Sequence, residues 1–164
     1  MNTVLRKLFF LLTVSGLMLM SLWVNAREEG VESLSPEIRV LLQKEMRAIE
    51  GGMKVIVSAN AAGDTEQIAR IARQIQDGFI LKQHLTKYQK HELHSKLPPG
   101  FLKRDKEFHY MAGMLAHVAE KNKSELVGFY YSKLFEACVS CHSVYATHRF
   151  SRFEASGSAE SHSH

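Results

Sequence analysis

Apolar residues recur every three or four positions along most of this chain, and nowhere do they alternate with polar ones for the length of a strand. Ser35 as N-cap and Pro36 at the first helical position open a predicted helix that runs to about Ala59. Its apolar face is Leu42, Met46, Ile49, Met53 and Ile56, and Asn60 with the following Ala-Ala-Gly ends it. A second helix starts at Asp64 or Thr65 and presents Ile68, Ile71, Ile75 and Phe79, then Leu85 and Tyr88, with Gly78 loosening its middle. The stretch from about Glu92 to Arg104 contains Pro98-Pro99-Gly100 and reads as the one long connection. The third helix starts at Asp105 and carries Phe108, Met111, Ala112, Leu115, Val118 and Ala119 on one side. After a short turn Ser124 caps the fourth, which shows Val127, Tyr131, Leu134 and Phe135. The expectation is an all-α fold: an antiparallel four-helix bundle over residues 35–150, preceded by a linker at 27–34. Residues 151–164 are rich in Ser, Glu, Gly and His and too polar to pack, so His162 and His164 belong to a solvated end.

The fourth helix delivers Cys138-Val139-Ser140-Cys141-His142, which holds both cysteines of the chain. C-x-x-C-H reads as a c-type haem attachment site, with two thioether anchors and a histidine ligand to the iron. At about 100° per residue, Cys141 falls near 300° and His142 near 40° from Cys138, so a straight helix offers all three to one edge of a flat macrocycle. Two other readings use the same residues. A thioredoxin-like pair needs a βαβ context, and no such alternation occurs. A zinc site of Cys138, Cys141, His148 and a fourth ligand such as His162 would have one cysteine pair where structural sites usually bring two ligand pairs.

The N-terminus changes the picture further. Arg6 and Lys7 precede an uncharged apolar stretch from Leu8 to Val24, and Val24-Asn25-Ala26 is a small-residue cleavage site. Residues 1–26 are therefore expected to be a cleaved signal peptide that exports the chain to the periplasm. Retention of the segment as an anchor is the alternative, although the stretch is shorter than the about 20 residues a spanning helix prefers. Covalent haem attachment to bacterial c-type cytochromes takes place outside the cytoplasmic membrane, so address and motif agree. The formal charge of +4 includes Arg6 and Lys7, and their loss leaves about +2, which is no nucleic-acid footprint.

Helices ending in this motif resemble the class II c-type cytochromes, the family of cytochrome c′. The resemblance is clearest from Leu134-Phe135-Glu136-Ala137 through the C-x-x-C-H to Ser143-Val144-Tyr145, where the family has a similar run and a tyrosine at the same offset. Met46-Arg47 followed by Met53 is similar to a Met-Lys/Arg pattern of the low-spin members. The match spans roughly 36–149, strongly at the motif and as a pattern elsewhere. It implies one covalently bound haem c on Cys138 and Cys141, with His142 as proximal iron ligand and Met46 as distal ligand. Arg39, two turns before Met46 on nearly the same face, is a candidate partner for a haem propionate, with a solvated arginine as the plain alternative. Met46 as core filler is the bland alternative for that residue.

One departure stands out. The family usually places a basic residue directly after the tyrosine, and here that position is Ala146, with Lys133 and His148 as candidate replacements. His109 reads as a hydrogen-bonded bundle residue, His117 as polar-side, and His84, His91 and His94 as solvated. No phosphate-cradling loop, nucleophile elbow or metalloprotease helix occurs, and the carboxylates fall singly on polar faces, so no enzyme is expected. The resemblance implies a periplasmic single-electron carrier that meets redox partner proteins. Peripheral membrane contact and a homodimer stay open. The alternative is a five-coordinate haem module that binds nitric oxide or carbon monoxide.

Overall fold

The computed structural model describes residues 30–78 and 85–153. Every regular element among them is helical: a 3₁₀ turn at Val31–Ser33, then α1 (Pro36–Ala62), α2 (Thr65–Gln76), α3 (Lys87–Lys96), α4 (Pro99–Glu120) and α5 (Ser124–Tyr145). The all-α expectation holds. The leader at 1–26, Phe79, His84, and all but three residues of the polar tail lie outside the described residues.

The helix ends follow local chemistry. Ser35 caps α1 by accepting from the Ile38 N–H, and Pro36 sits in the first turn, where its missing N–H costs nothing. Gly63, at φ 72°, closes α1 in the left-handed conformation that glycine adopts without a Cβ penalty. Asp64 then caps α2 by accepting from the Gln67 N–H at 2.9 Å. Gly78, at φ 65°, follows the end of α2 and does not loosen its middle.

Two boundaries differ from expectation. Lys87–Lys96 is a helix of its own, opened by a reciprocal capping box between Thr86 and Gln89. The anticipated long connection shrinks to Leu97 and Pro98, because Pro99 starts α4 and does not break it. Among the described residues five helices stand where periodicity suggested four, and Tyr88, assigned to the second apolar face, is 76% exposed on α3. Ser124 is the first residue of α5, with Lys123 at the cap position.

The main core joins Ile49, Met53 and Ile56 of α1, Ile68, Ile71 and Ile75 of α2, Leu115 and Val118 of α4, and Val127 and Leu134 of α5. Packing runs from α1 to α2, α2 to α4 and α4 to α5; no other pair packs extensively among the described residues. Far from the turn that joins them, Phe101 meets Tyr145 and Arg104 meets Ser140, so α4 and α5 run antiparallel. His109 Nδ1–H donates to the Ile75 carbonyl, 2.6 Å away, which ties α4 to the end of α2 and gives that histidine its structural role.

A second cluster of Leu34, Ile38 and Leu97, with Phe101 and Leu102 against it, gathers α1, α3 and α4 at the opposite end. Here the Glu92 carboxylate accepts from the Ser35 N–H at 2.6 Å, the Ser35 hydroxyl at 3.0 Å and Lys96 Nζ at 3.1 Å. The Ser35 backbone bond first, and then Lys96, hold its carboxyl below the ordinary value. A lowered folded value means full stabilisation above the ordinary carboxylate range and loss as pH falls through the lowered one. Glu92→Gln is therefore expected to weaken the fold at neutral pH and to flatten the acid limb of stability, read from urea midpoints at pH 3 to 7.

Candidate functional site

The C-x-x-C-H lies entirely within α5, in its last two turns, ahead of Tyr145. Around Cys138, helix geometry puts Tyr131, Phe135 and His142 within about 60° on one side and Leu134, Cys141 and Tyr145 within about 60° on the other. Leu134 and Tyr145 are buried against the rest of the fold, whereas Cys138, Cys141 and His142 are half-buried. Phe135, expected to face the core, is 60% exposed, and Val139 beside it is 41% exposed. The motif thus has two sides: Cys141 and Ser140 lie towards α4, whose Arg104 reaches them, whereas Phe135 and Val139 are exposed and α1 does not pack extensively on α5.

Both cysteines are free thiols. Burial pushes Cys138 up, and it pushes Cys141 up to about 11, with Arg104 pulling it down and Asp105 pushing it up. Such thiols stay protonated at neutral pH, unlike the low-pKa thiolates of disulfide-exchange sites. Burial lowers the His142 value, so its imidazole is neutral at pH 7 and keeps a ring nitrogen lone pair for a metal. The His142 ring stacks on Phe150, with centroids 4.5 Å apart and planes 16° apart, which fixes its tilt.

Three segments meet around this end of α5. Gly30 approaches so closely that a Cβ there would lie 2.7 Å from the Tyr145 carbonyl oxygen. Glu32 pairs with His148 at 2.6 Å, closing the segment after α5 onto the turn before α1. From α4, Arg104 Nη1 donates to the Ser140 carbonyl at 2.6 Å and its hydroxyl at 3.1 Å, and the guanidinium lies over the Tyr145 ring at 5.5 Å.

On α1 the buried stripe runs through Ile38, Glu45, Ile49, Gly52, Met53, Ile56 and Ala59. Met46 stands about 60° to the side of Ile49 and is 39% exposed, outside both hydrophobic clusters, whereas Met53 is 8% exposed within the core. Core filling, the plain explanation for a methionine at this spacing, describes Met53 and not Met46. Arg39 is half-buried on the same helix. Lys133 and His148, the candidate replacements for a basic residue after the tyrosine, are each engaged by a carboxylate, Glu136 at 2.8 Å and Glu32. Arg104 is the cation beside the motif, and sequence reasoning missed it by placing it in a connection.

The fully buried Glu45 and the buried Glu92 were also missed, since both were read with the singly scattered surface carboxylates. The signal for Glu45 was present: Ile38, Glu45, Gly52 and Ala59 recur at seven-residue intervals. Phe150 lies beyond the end of α5, where periodicity carries no information.

The zinc arrangement is not assembled. Among the described residues no three His, Cys, Asp or Glu side chains converge where a metal ion could sit, and His162 lies outside them. The βαβ frame of a thioredoxin-like pair is likewise lacking, since the described residues contain no strand. No helix among them is long and apolar enough to cross a membrane. Compared with protein-family models, with curated proteins and with solved structures, the chain finds no match.

Proposed function

We propose that this chain is a single-haem c-type cytochrome that carries electrons one at a time. The observation that carries the reading is the flank of α5. There two free thiols and a neutral histidine lie within an arc of about 100°, bordered by the exposed Phe135 and Val139, and α1 does not pack extensively on this helix. An apolar surface of this kind beside fixed anchors suits a flat macrocycle. The donor set fits the group: Cys138 and Cys141 for the two thioether bonds, and His142 for the proximal side of the iron.

Bound there, the haem supplies a reversible one-electron change at its iron. The protein's own residues bind, orient and shield it. Phe150 sets the tilt of the His142 ring by stacking on it. Phe135 and Val139 lose exposed apolar area when covered, which favours the folded, loaded form. Met46 is the proposed distal ligand, with support from the resemblance and from its position off the core, where packing gives no reason for a thioether. Arg39 is the proposed propionate partner. On this reading α1, α2, α4 and α5 form a four-helix bundle around the haem, with α3 as a short addition at one end. The chain is exported to the periplasm, the activity is electron transport and not catalysis, and the partners are redox proteins.

A second reading has one observation in its favour. Because Met46 lies beside the buried stripe of α1, a haem on α5 can remain five-coordinate and take up nitric oxide or carbon monoxide. Visible and near-infrared spectra of the purified protein separate the two. A low-spin ferric spectrum with a weak near-infrared sulfur-to-iron band supports the carrier. A high-spin ferric spectrum with no such band supports the gas-binding module.

A further inference from the structure

We infer that Arg104 is a positioning residue that raises the reduction potential of the haem, by holding a permanent positive charge one peptide bond from the Cys141 anchor. The inference rests on the haem reading and adds a residue to it. Arg104 stands in the second turn of α4, and its Nη1 donates to the Ser140 carbonyl at 2.6 Å and to the Ser140 hydroxyl at 3.1 Å. That carbonyl belongs to the peptide that continues into Cys141. The guanidinium also lies over the Tyr145 ring, 5.5 Å from its centroid, and Tyr145 is itself held edge-on by Phe101 at 5.4 Å. A planar group held by two hydrogen bonds and an aromatic face loses most of its freedom to swing into solvent.

The charge matters because of what surrounds it. Arg73 is paired with Glu120, Lys133 with Glu136, and Lys96 with Glu92, so the fields of these cations are offset close by. The partners of Arg104 are a carbonyl, a hydroxyl and a ring, and no ion pair ties it to a carboxylate among the described residues. Its positive charge acts on Cys141 together with the opposing charge of its neighbour Asp105, so removing it leaves the Asp105 carboxylate to act there alone. Ferric haem carries one more positive charge than ferrous haem, so a fixed cation beside it disfavours the oxidised state.

The test uses the full chain with haem attached and compares wild type with Arg104→Gln and Arg104→Lys by spectroelectrochemical titration. Arg104→Gln keeps an N–H donor for Ser140 and removes the charge. It is expected to lower the ferrous-to-ferric ratio at a set potential by roughly tenfold, a downward shift of about 59 mV for one electron. Arg104→Lys keeps the charge and is expected to stay close to wild type. An unchanged potential in Arg104→Gln overturns the proposal and makes Arg104 a structural tie alone. So does failure of Arg104→Gln to retain haem, or an equal shift in Arg104→Lys. Wild-type protein that carries no haem ends the haem reading first, and this inference with it.

Discussion

Replacing both Cys138 and Cys141 by alanine is expected to leave a chain that retains no haem after denaturation. Each single replacement should leave only one thioether and a weakened attachment. The physical reason is that on the proposed reading the thioethers would be the sole covalent ties, whereas a ligand bond from His142 would be lost with the fold that positions it. His142→Ala should give the complementary result, haem still held by the denatured chain but without its proximal ligand. Haem staining of denaturing gels checks the first pair of outcomes, and the ferric absorption spectrum checks the second. The fold should tolerate the cysteine changes, because both side chains are half-buried on a flank of α5 and the packing of α4 on α5 is carried by Leu115, Val118, Val127 and Leu134.

Met46→Ala is expected to convert a low-spin iron to a high-spin one that binds carbon monoxide readily, and to lower its potential. A thioether is a soft ligand that favours the reduced ion, and in the ferrous state it must be displaced before a gas can bind. Because Met46 lies outside both apolar clusters, its truncation should cost little stability. Met53→Ala, one heptad along α1 but buried, should behave oppositely, with an unchanged spectrum and a loss of about 2–5 kcal/mol in denaturant melts. The pair separates ligation from packing through two methionines on one helix. If wild-type protein is already high-spin and Met46→Ala leaves its spectrum unchanged, the open gas-binding site becomes the better account.

Long apolar periodicity was the readable part of the fold. It located α1 and α5 nearly in full, the start of α2 and the buried faces of α2 and α4, because Ile68, Ile71, Ile75, Leu115 and Val118 repeat at helical spacing and pack on one another, but it carried α2 past its end at Gln76. It failed where inward positions are not large and apolar. On α1, Glu45 and Gly52 occupy the stripe, and counting apolar residues alone moved the face toward Met46. It failed again at Pro98-Pro99-Gly100, where proline was taken as a breaker although it is well suited to a helix start. Shifting the start of α4 from Asp105 to Pro99 is what brings Arg104 onto a helix and beside Ser140.

The site was readable as a motif and not as an environment. Cys138, Cys141 and His142 stand out because their spacing reads as a c-type haem attachment. The stacking of Phe150 on His142 and the reach of Arg104 across from α4 join residues 8 and 36 positions apart. One partner lies past a helix end and the other on a different helix, and no local pattern records either. The exposure of Phe135 has the same origin: its spacing suits a core, yet α1 does not pack extensively on that side of α5.

The most direct test of the account is the intact mass of the denatured protein, made in a bacterial host that exports it and assembles c-type haem. The account predicts a mass one haem above that of the processed chain, with neither cysteine able to react with a thiol reagent. A chain at its bare mass with both thiols free to react would contradict it.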